Sequence, residues 1–178
     1  RQTLNRLKKI WDNGEYALNG WLSINNSFIA EIMSRQNYDT LTIDMQHGLI
    51  DYSDLIGMLQ GISGSNVTPI VRVPWLDPGY IMKALDAGAQ GIISPMINNK
   101  KEAEEFVSYM RYPPLGNRSF GPTRQNIVQG SDYYKTANEN VLCIAMIETA
   151  EAMKNLEEII CTDGLDAVYI GPADLTLG

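Results

Sequence analysis

Short apolar runs alternate along the chain with longer stretches in which apolar residues recur every three or four positions. The runs are rich in valine and isoleucine, and most are bounded by glycine or proline, as is typical of buried strands. Strands that are apolar on both faces belong to parallel sheets covered by helices. The pattern therefore predicts an α/β fold with six strands, within residues 16–24, 38–45, 68–74, 90–96, 141–148 and 165–172.

The stretches between the runs carry the helical period. Thr149 and Ser53 stand where helix N-caps are expected, and Pro78 occupies a first-turn position, where its missing N–H removes no hydrogen bond. The predicted helices cover residues 27–35, 51–62, 78–87, 100–110 and 149–161. Alternation of strand and helix predicts right-handed crossovers between parallel strands.

Two closures of the sheet fit this alternation, an open doubly wound sheet and a (β/α)8 barrel. Six strands complete an open sheet, whereas a barrel of about 250 residues needs two more strand–helix units. No GxGxxG or P-loop sequence follows any of the runs, so the usual nucleotide-binding signature of an open sheet is missing. Both closures place ligands at the carboxyl ends of the strands.

Composition and charge remove several classes of function. The net charge of −7 argues against non-specific nucleic-acid binding, which needs a basic surface. No apolar run approaches the length of about 18 residues that a membrane span requires. Cys143 and Cys161 have neither metal-ligand nor CxxC spacing. We therefore expect a reduced, cytoplasmic protein that binds neither nucleic acid nor membrane.

Ionisable residues stand at the carboxyl ends of four predicted strands. They are His47, Arg72, Glu148 and Asp174, and His47 is the only histidine. Each has a structural alternative, namely a loop histidine, a buried ion pair, a charge at a helix start and a turn cap. Glu148 and Asp174 follow consecutive strands, about 4.8 Å apart, where carboxylates repel unless one is protonated or a cation lies between them. Oxygen ligands suit Mg²⁺ or Mn²⁺, so this pair predicts half of a metal site.

Three arginines, Arg111, Arg118 and Arg124, lie close together in the segment 111–126. We expect a long connection there, either with solvated or paired arginines or as a gate that binds a distal carboxylate of a substrate.

Five segments together resemble the HpcH/HpaI aldolases, a family of metal-dependent class II pyruvate aldolases. The segments are residues 43–55, 69–96, 111–122, 145–159 and 165–175. The resemblance implies a (β/α)8 barrel of the phosphoenolpyruvate/pyruvate superfamily, with about six of the eight units in this chain. Residues 1–178 would then be a single barrel domain that lacks its C-terminal two units.

The resemblance also implies a role for each residue that matches the family pattern. Glu148 and Asp174 would ligate a divalent cation, Mg²⁺, Mn²⁺ or Co²⁺. Arg72 would bind pyruvate and stabilise its enolate. His47 would act as the general base, paired with Asp86, which the positions of the strand ends alone do not single out.

Three further positions concern substrate binding. The resemblance implies that the backbone of Ala173 contacts the substrate, together with Asp174. Trp21 stands where the family often has an aromatic residue near the substrate, with simple packing as the alternative. Met146 stands where some members have a glutamine that touches the substrate, so polar recognition differs here.

The implied reaction is cleavage or formation of a 4-hydroxy-2-oxo acid, with pyruvate and an aldehyde as partners, in a homo-oligomeric enzyme. One alternative is another lyase of the superfamily, acting on a malyl- or citramalyl-CoA-type thioester or on a phosphoenolpyruvate-type substrate. A non-catalytic barrel is the other alternative, although every residue of the implied machinery has the chemical type that the reaction needs.

Overall fold

A single parallel sheet organises the chain. The structure, a computed structural model, describes residues 5–178. The strands are β1 (Asn19–Leu22), β2 (Thr40–Asp44), β3 (Thr68–Arg72), β4 (Gly91–Ser94), β5 (Leu142–Ile147) and β6 (Ala167–Ile170). Their order in space is their order in the chain, and every neighbouring pair is parallel. A doubly wound sheet would reverse this order at a switch point, so the sheet is a curled part of a barrel.

Helices connect the strands and cover the outer face of the sheet. They are α1 (Arg6–Asp12), α2 (Ser27–Ser34), α3 (Tyr52–Ile62), α4 (Pro78–Ala87), α5 (Lys100–Met110), α6 (Thr123–Gln129), α7 (Tyr134–Asn140), α8 (Ala150–Lys154), α9 (Leu156–Ile160) and α10 (Pro172–Leu175). Within residues 5–178, none of them has the length and apolar character needed to cross a membrane.

Three helix boundaries differ from the sequence pattern. Asp51, rather than Ser53, caps α3, and it forms a capping box with Asp54. The predicted helix 149–161 is divided at Asn155 into α8 and α9, although Thr149 is the N-cap as expected. A one-turn helix, α10, follows β6, where no helix was predicted.

Each face of the sheet carries a cluster of buried apolar side chains. Towards the helices, Leu41, Ile92 and Ala145 belong to the large core and have no exposed surface. On the inner face, the side chains of the central strands form a second cluster, which Leu7 of α1 joins. The side chain of Asn5 donates to the backbone oxygens of Gln90 and Asn140, just before β4 and β5. Asn5 and α1 are thereby fixed across the amino ends of the strands, which leaves the carboxyl ends for the site.

The arginine-rich segment lies at the amino ends as well, because it connects α5 to β5. Arg111 forms an ion pair with Asp166 at 3.1 Å. The guanidinium of Arg124 donates to the backbone oxygen of Ala87 at 2.6 Å. Since Arg118 is also paired, as described below, the interpretation as paired structural arginines is the correct one for the chain. The alternative of a gate is wrong for the single chain, because the segment lies at the opposite end of the sheet from the strand ends that were expected to bind substrate.

Candidate active site

A buried ion pair joins the carboxyl ends of β2 and β3. The register places Asp44 beside Arg72. The guanidinium Nε donates to Asp44 Oδ1 at 2.9 Å, and Nη2 donates to Oδ2 at 2.6 Å. Burial by itself would raise the pKa of Asp44, but the hydrogen bond and charge of Arg72 outweigh it and lower that pKa below its usual range. The two groups are therefore ionised together, and the arginine is a fixed cation.

The remaining contacts of Arg72 leave one of its nitrogens open. The guanidinium carbon lies 4.8 Å from the centre of the Trp21 ring, whose Nε1 donates to Asp44 Oδ2 at 3.3 Å. Within residues 5–178, the one hydrogen-bond contact of Nη1 is with the sulfur of Met146, at 3.9 Å. A thioether is a weak acceptor, so Nη1 is the part of the arginine that an anionic substrate can take. Trp21 and Met146 thus lie beside Arg72, where substrate contact was expected.

Two carboxylates meet at the ends of β5 and β6. Glu148 is 2% exposed, and its Oε1 accepts a hydrogen bond from the backbone N–H of Met96 at 2.8 Å. Asp174 lies in the first turn of α10, close enough to interact with Glu148. Burial raises the pKa of Glu148, the N–H of Met96 opposes that rise, and the neighbouring Asp174 carboxylate adds to it. The fold therefore brings together two carboxyl groups that the sequence placed at neighbouring strand ends.

A glycine makes this approach possible. A Cβ at Gly171 would lie 2.8 Å from the Glu148 Cβ and 2.9 Å from Oε2, closer than side-chain atoms come. Gly171 ends the run of β6 and is followed by Pro172, which begins α10. Gly171 lets the backbone pass close to Glu148, and Pro172 then begins the turn of helix that contains Asp174. The sequence signal was the Gly-Pro after an apolar run.

The donor set fits a hard divalent cation. Both carboxylates supply oxygen only, which is the preference of Mg²⁺ and Mn²⁺, and a cation between them would relieve their repulsion. Residues 5–178 contain no group of three or more histidine, cysteine, aspartate or glutamate side chains arranged to hold a metal. The described chain would therefore supply two ligands, Glu148 and Asp174, and leave positions for water and substrate.

His47 lies in the turn after β2, and its side chain is exposed. The turn is built around Asp44, whose Oδ1 accepts hydrogen bonds from the backbone N–H groups of Gln46 at 3.0 Å and His47 at 3.3 Å. Ala173 is exposed in α10, next to Asp174. Sequence analysis missed Asp44, although a lone arginine in an apolar strand requires a buried partner.

Asp86 does not join this group within one chain. It lies in the last turn of α4, which runs from the carboxyl ends of the strands back to their amino ends. There its Oδ1 accepts a hydrogen bond from Arg118 Nη2 at 2.8 Å, and the Arg118 side chain has no exposed surface. The predicted pairing of Asp86 with His47 is therefore not formed inside a single chain.

Comparison with known proteins decides the family. The sequence model described as HpcH/HpaI aldolase/citrate lyase matches residues 18–178. The chain belongs to this family. A hydroxypyruvate/pyruvate aldolase of Rhizorhabdus wittichii is 46% identical over 174 residues, 98% of this chain and 69% of that protein. A 4-hydroxy-2-oxo-heptane-1,7-dioate aldolase of Escherichia coli is 37% identical over 177 residues, 97% of this chain and 67% of that protein.

A solved structure agrees with this assignment. The crystal structure of an HpcH/HpaI aldolase/citrate lyase family protein from Burkholderia cenocepacia superposes with a TM-score of 0.89 and is 35% identical. The match covers 97% of this chain and 71% of that one. The predicted family and fold class are therefore confirmed, and the two curated relatives are named as aldolases, which are carbon–carbon lyases. The HpcH/HpaI chain described here spans about two thirds of the length of these relatives.

Proposed function

We propose that the protein is a divalent-metal-dependent class II aldolase that cleaves or forms 4-hydroxy-2-oxo acids, with pyruvate and an aldehyde as the two fragments. The observation that carries the proposal is the approach of Glu148 and Asp174 to each other beside the fixed cation Arg72. Names of the relatives support the reaction class, since they describe aldolases of pyruvate, hydroxypyruvate and a 4-hydroxy-2-oxo diacid.

The proposed cleavage begins at the 4-hydroxyl group. His47, directly or through a water, removes the hydroxyl proton. The bond between C3 and C4 then breaks, C4 leaves as the aldehyde, and the bonding electrons stay on the pyruvate fragment as its enolate. Protonation of C3 gives pyruvate, and the reverse sequence adds pyruvate to an aldehyde. No Schiff-base lysine is needed for this route.

Arg72 stabilises the negative charge that develops on the enolate oxygen. Its direction is fixed before substrate arrives, because Asp44 holds two of its nitrogens and Trp21 stacks on its face. Preorganised charge of this kind contributes more than a mobile side chain, since nothing must reorient during the reaction. Glu148 and Asp174 would hold the cation, which when bound supplies Lewis acidity at the 2-oxo group.

We also propose the wider organisation of the protein. Residues 1–178 would form about six units of a single eight-unit barrel domain. In the sheet formed by residues 5–178, β1 and β6 each have a strand on one side only, so two further strands would complete the pairing. A homo-oligomer is proposed from the family resemblance. A cytoplasmic location is proposed from the two cysteines, both of which are unpaired in the described chain.

Exchange of the C3 protons of pyruvate for deuterium, followed by NMR, tests the function without any choice of aldehyde. We expect exchange with Mg²⁺, loss of exchange with EDTA, and loss in Glu148→Gln. Glu105→Gln, on α5 where the side chain is 43% exposed, is the matched control and should exchange normally. Absence of exchange with every divalent metal would remove pyruvate as the donor, and a thioester lyase or a non-catalytic barrel would take its place.

A further inference from the structure

The orientation of Glu148 depends on a residue of the neighbouring strand end. Met96 follows β4 and donates its backbone N–H to Glu148 Oε1. Its φ of 56° lies in the left-handed region, which a residue other than glycine seldom adopts. Such a conformation persists only where the surroundings hold it in place, and it is often found at functional sites. Asn98, two residues further along the chain, makes the contacts that restrain this stretch of backbone.

Asn98 is held by hydrogen bonds at three of its four polar groups. Its side-chain oxygen accepts the hydroxyl hydrogen of Thr149, the residue that directly follows Glu148. Its backbone oxygen accepts a hydrogen bond from the Asn155 side chain at 2.9 Å, and its backbone N–H donates to Glu102 at 2.7 Å. A closed ring results, which passes from Glu148 to Met96, along the backbone to Asn98, and back through Thr149.

This ring is not needed to begin the helix that follows. The N-cap of α5 is Asn99, whose side chain accepts the backbone N–H of Glu102 at 3.0 Å. The side chain of Asn98 points instead across to the end of β5. The side chain of Asn99 thus caps α5, whereas the side chain of Asn98 bonds to the residue that follows Glu148.

The ring determines which oxygen of Glu148 is available. Oε1 is occupied by the N–H of Met96, whereas Oε2 lies against Gly171, on the side of β6 from which Asp174 comes. We propose that Asn98 is a positioning residue: by holding Met96 in its left-handed conformation, it turns Oε2 of Glu148 towards Asp174 for a divalent cation. This inference rests on the proposed function, because it assigns the purpose of Oε2 to metal binding.

The test measures the dissociation constant of Mn²⁺ by electron paramagnetic resonance on the intact protein without substrate. Asn98→Ala is expected to weaken Mn²⁺ binding on the order of tenfold, as loss of a partner behind a metal ligand does. Asn99→Ala is the matched control, since it removes the helix cap but leaves the ring. It should lower the melting temperature in EDTA and leave Mn²⁺ affinity unchanged.

A second pair of variants keeps the test informative if Asn98→Ala does not fold. Thr149→Val removes the hydroxyl that bonds to Asn98, whereas Thr149→Ser keeps both that bond and the cap of α8. We expect weaker Mn²⁺ binding in Thr149→Val and near-normal binding in Thr149→Ser. Equal Mn²⁺ affinity of wild type, Asn98→Ala and Thr149→Val would overturn the inference alone. Failure of the wild-type protein to bind Mn²⁺ would overturn the proposed function together with it.

Discussion

Two buried arginine–aspartate pairs lie at opposite ends of the sheet and are built from similar parts. Arg72 pairs with Asp44 and stacks on Trp21 at the carboxyl ends of the strands. Arg118 pairs with Asp86 and stacks on Tyr112, 4.3 Å from the ring centre, at the amino ends. The difference between the two lies in what each pair leaves free.

The arginine of the pair at the amino ends is sealed from solvent, although its Nε is buried without a hydrogen-bond partner in residues 5–178. Arg118 gives Nη1 to the hydroxyl of Tyr133 at 3.1 Å and Nη2 to Asp86. Its side chain is completely covered, and burial raises the pKa of Asp86 despite the nearby guanidinium. Arg72, in contrast, keeps Nη1 towards the barrel interior, and its partner Asp44 has a lowered pKa. Neither a buried arginine–aspartate pair with an aromatic ring nor an unused arginine nitrogen is thus by itself a sign of a substrate site. The unused nitrogen of Arg72 differs from that of Arg118 by its place at the carboxyl ends of the strands, where ligands bind in such folds.

The largest effect is expected from a substitution of Glu148, at the carboxyl ends of the strands, which should lower activity and raise stability. Glu148→Gln should abolish Mn²⁺ binding and pyruvate proton exchange, because the ligand charge is lost. In EDTA its melting temperature at pH 7 should rise. Burial and Asp174 raise the pKa of Glu148, so the folded state favours the protonated form, and the stability associated with it falls as pH increases through that raised pKa. Glutamine keeps an oxygen for the Met96 N–H without the charge.

The check is a melting curve of both proteins in EDTA over a range of pH. The difference between them should shrink as the solution becomes acidic, because wild-type Glu148 then becomes protonated. A variant that melts below the wild type at neutral pH would show that the two carboxylates do not repel each other in the folded protein.

Replacement of each arginine by lysine should break the two pairs in different ways. Arg72→Lys loses the two-point contact with Asp44 and the fixed direction of charge, and we expect proton exchange to fall by about 10²- to 10³-fold. Arg118→Lys leaves its aromatic enclosure poorly filled and should lower the melting temperature, with Mn²⁺ affinity unchanged. Rates of exchange and thermal melts on both variants make the comparison, which fails if Arg118→Lys weakens Mn²⁺ binding as well.

Asp86→Asn sharpens the comparison, because the family resemblance and the single chain assign this residue different partners. Loss of one partner from a buried ion pair typically destabilises by about 3–5 kcal/mol, since the other charge stays buried. The loss of stability in Asp86→Asn should lie at or below the lower end of that range, because the Asp86 side chain is 18% exposed. We expect a loss of stability, measured by urea unfolding.

The pH dependence of kcat in the same variant decides the predicted pairing with His47. A shift of the acidic limb of the profile, where protonation of a general base stops the reaction, would support that pairing if Arg118→Lys does not share it. Identical profiles in the wild type and in Asp86→Asn would leave Asp86 a structural residue.

The smallest effect is expected from a substitution of Met146, which contacts Arg72. Met146→Gln places an amide beside Arg72 Nη1, where the wild type has a thioether. An amide can bond a hydroxyl on the donor, so the ratio of kcat/KM for hydroxypyruvate over pyruvate should rise about three- to tenfold, the worth of one hydrogen bond. Met153→Gln, an exposed substitution on α8, is the control. An unchanged ratio would show that the side chain at position 146 does not contact the 2-oxo acid substrate.

Much of the fold followed from pattern because its strands are apolar and end in polar residues. Each observed strand lies within a predicted run, and Glu148 and Asp174 meet because consecutive strands are neighbours. Asp44 was missed because its importance lies in the register between β2 and β3, which one strand's sequence does not contain.

Other errors have local physical causes. The helices α6 and α7 escaped prediction because their outer surfaces carry apolar residues such as Ile127, which is 82% exposed, so no clean helical stripe is visible. The helix after β5 was predicted as one piece, but Asn155 interrupts it and gives its side chain to the backbone of Asn98. Long-range polar contacts of this kind leave no periodic signal in the sequence.

The order of the strands also bears on how the protein is made. Each strand from β2 to β6 pairs with the one synthesised just before it. The sheet can therefore grow by one strand–helix unit at a time as the chain leaves the ribosome, without waiting for distant segments. Glu148 and Asp174 follow the fifth and sixth strands, β5 and β6. The carboxylate pair is thus assembled only after β1 to β4 have been laid down, so a nascent chain would gain affinity for a cation only once six strands have formed.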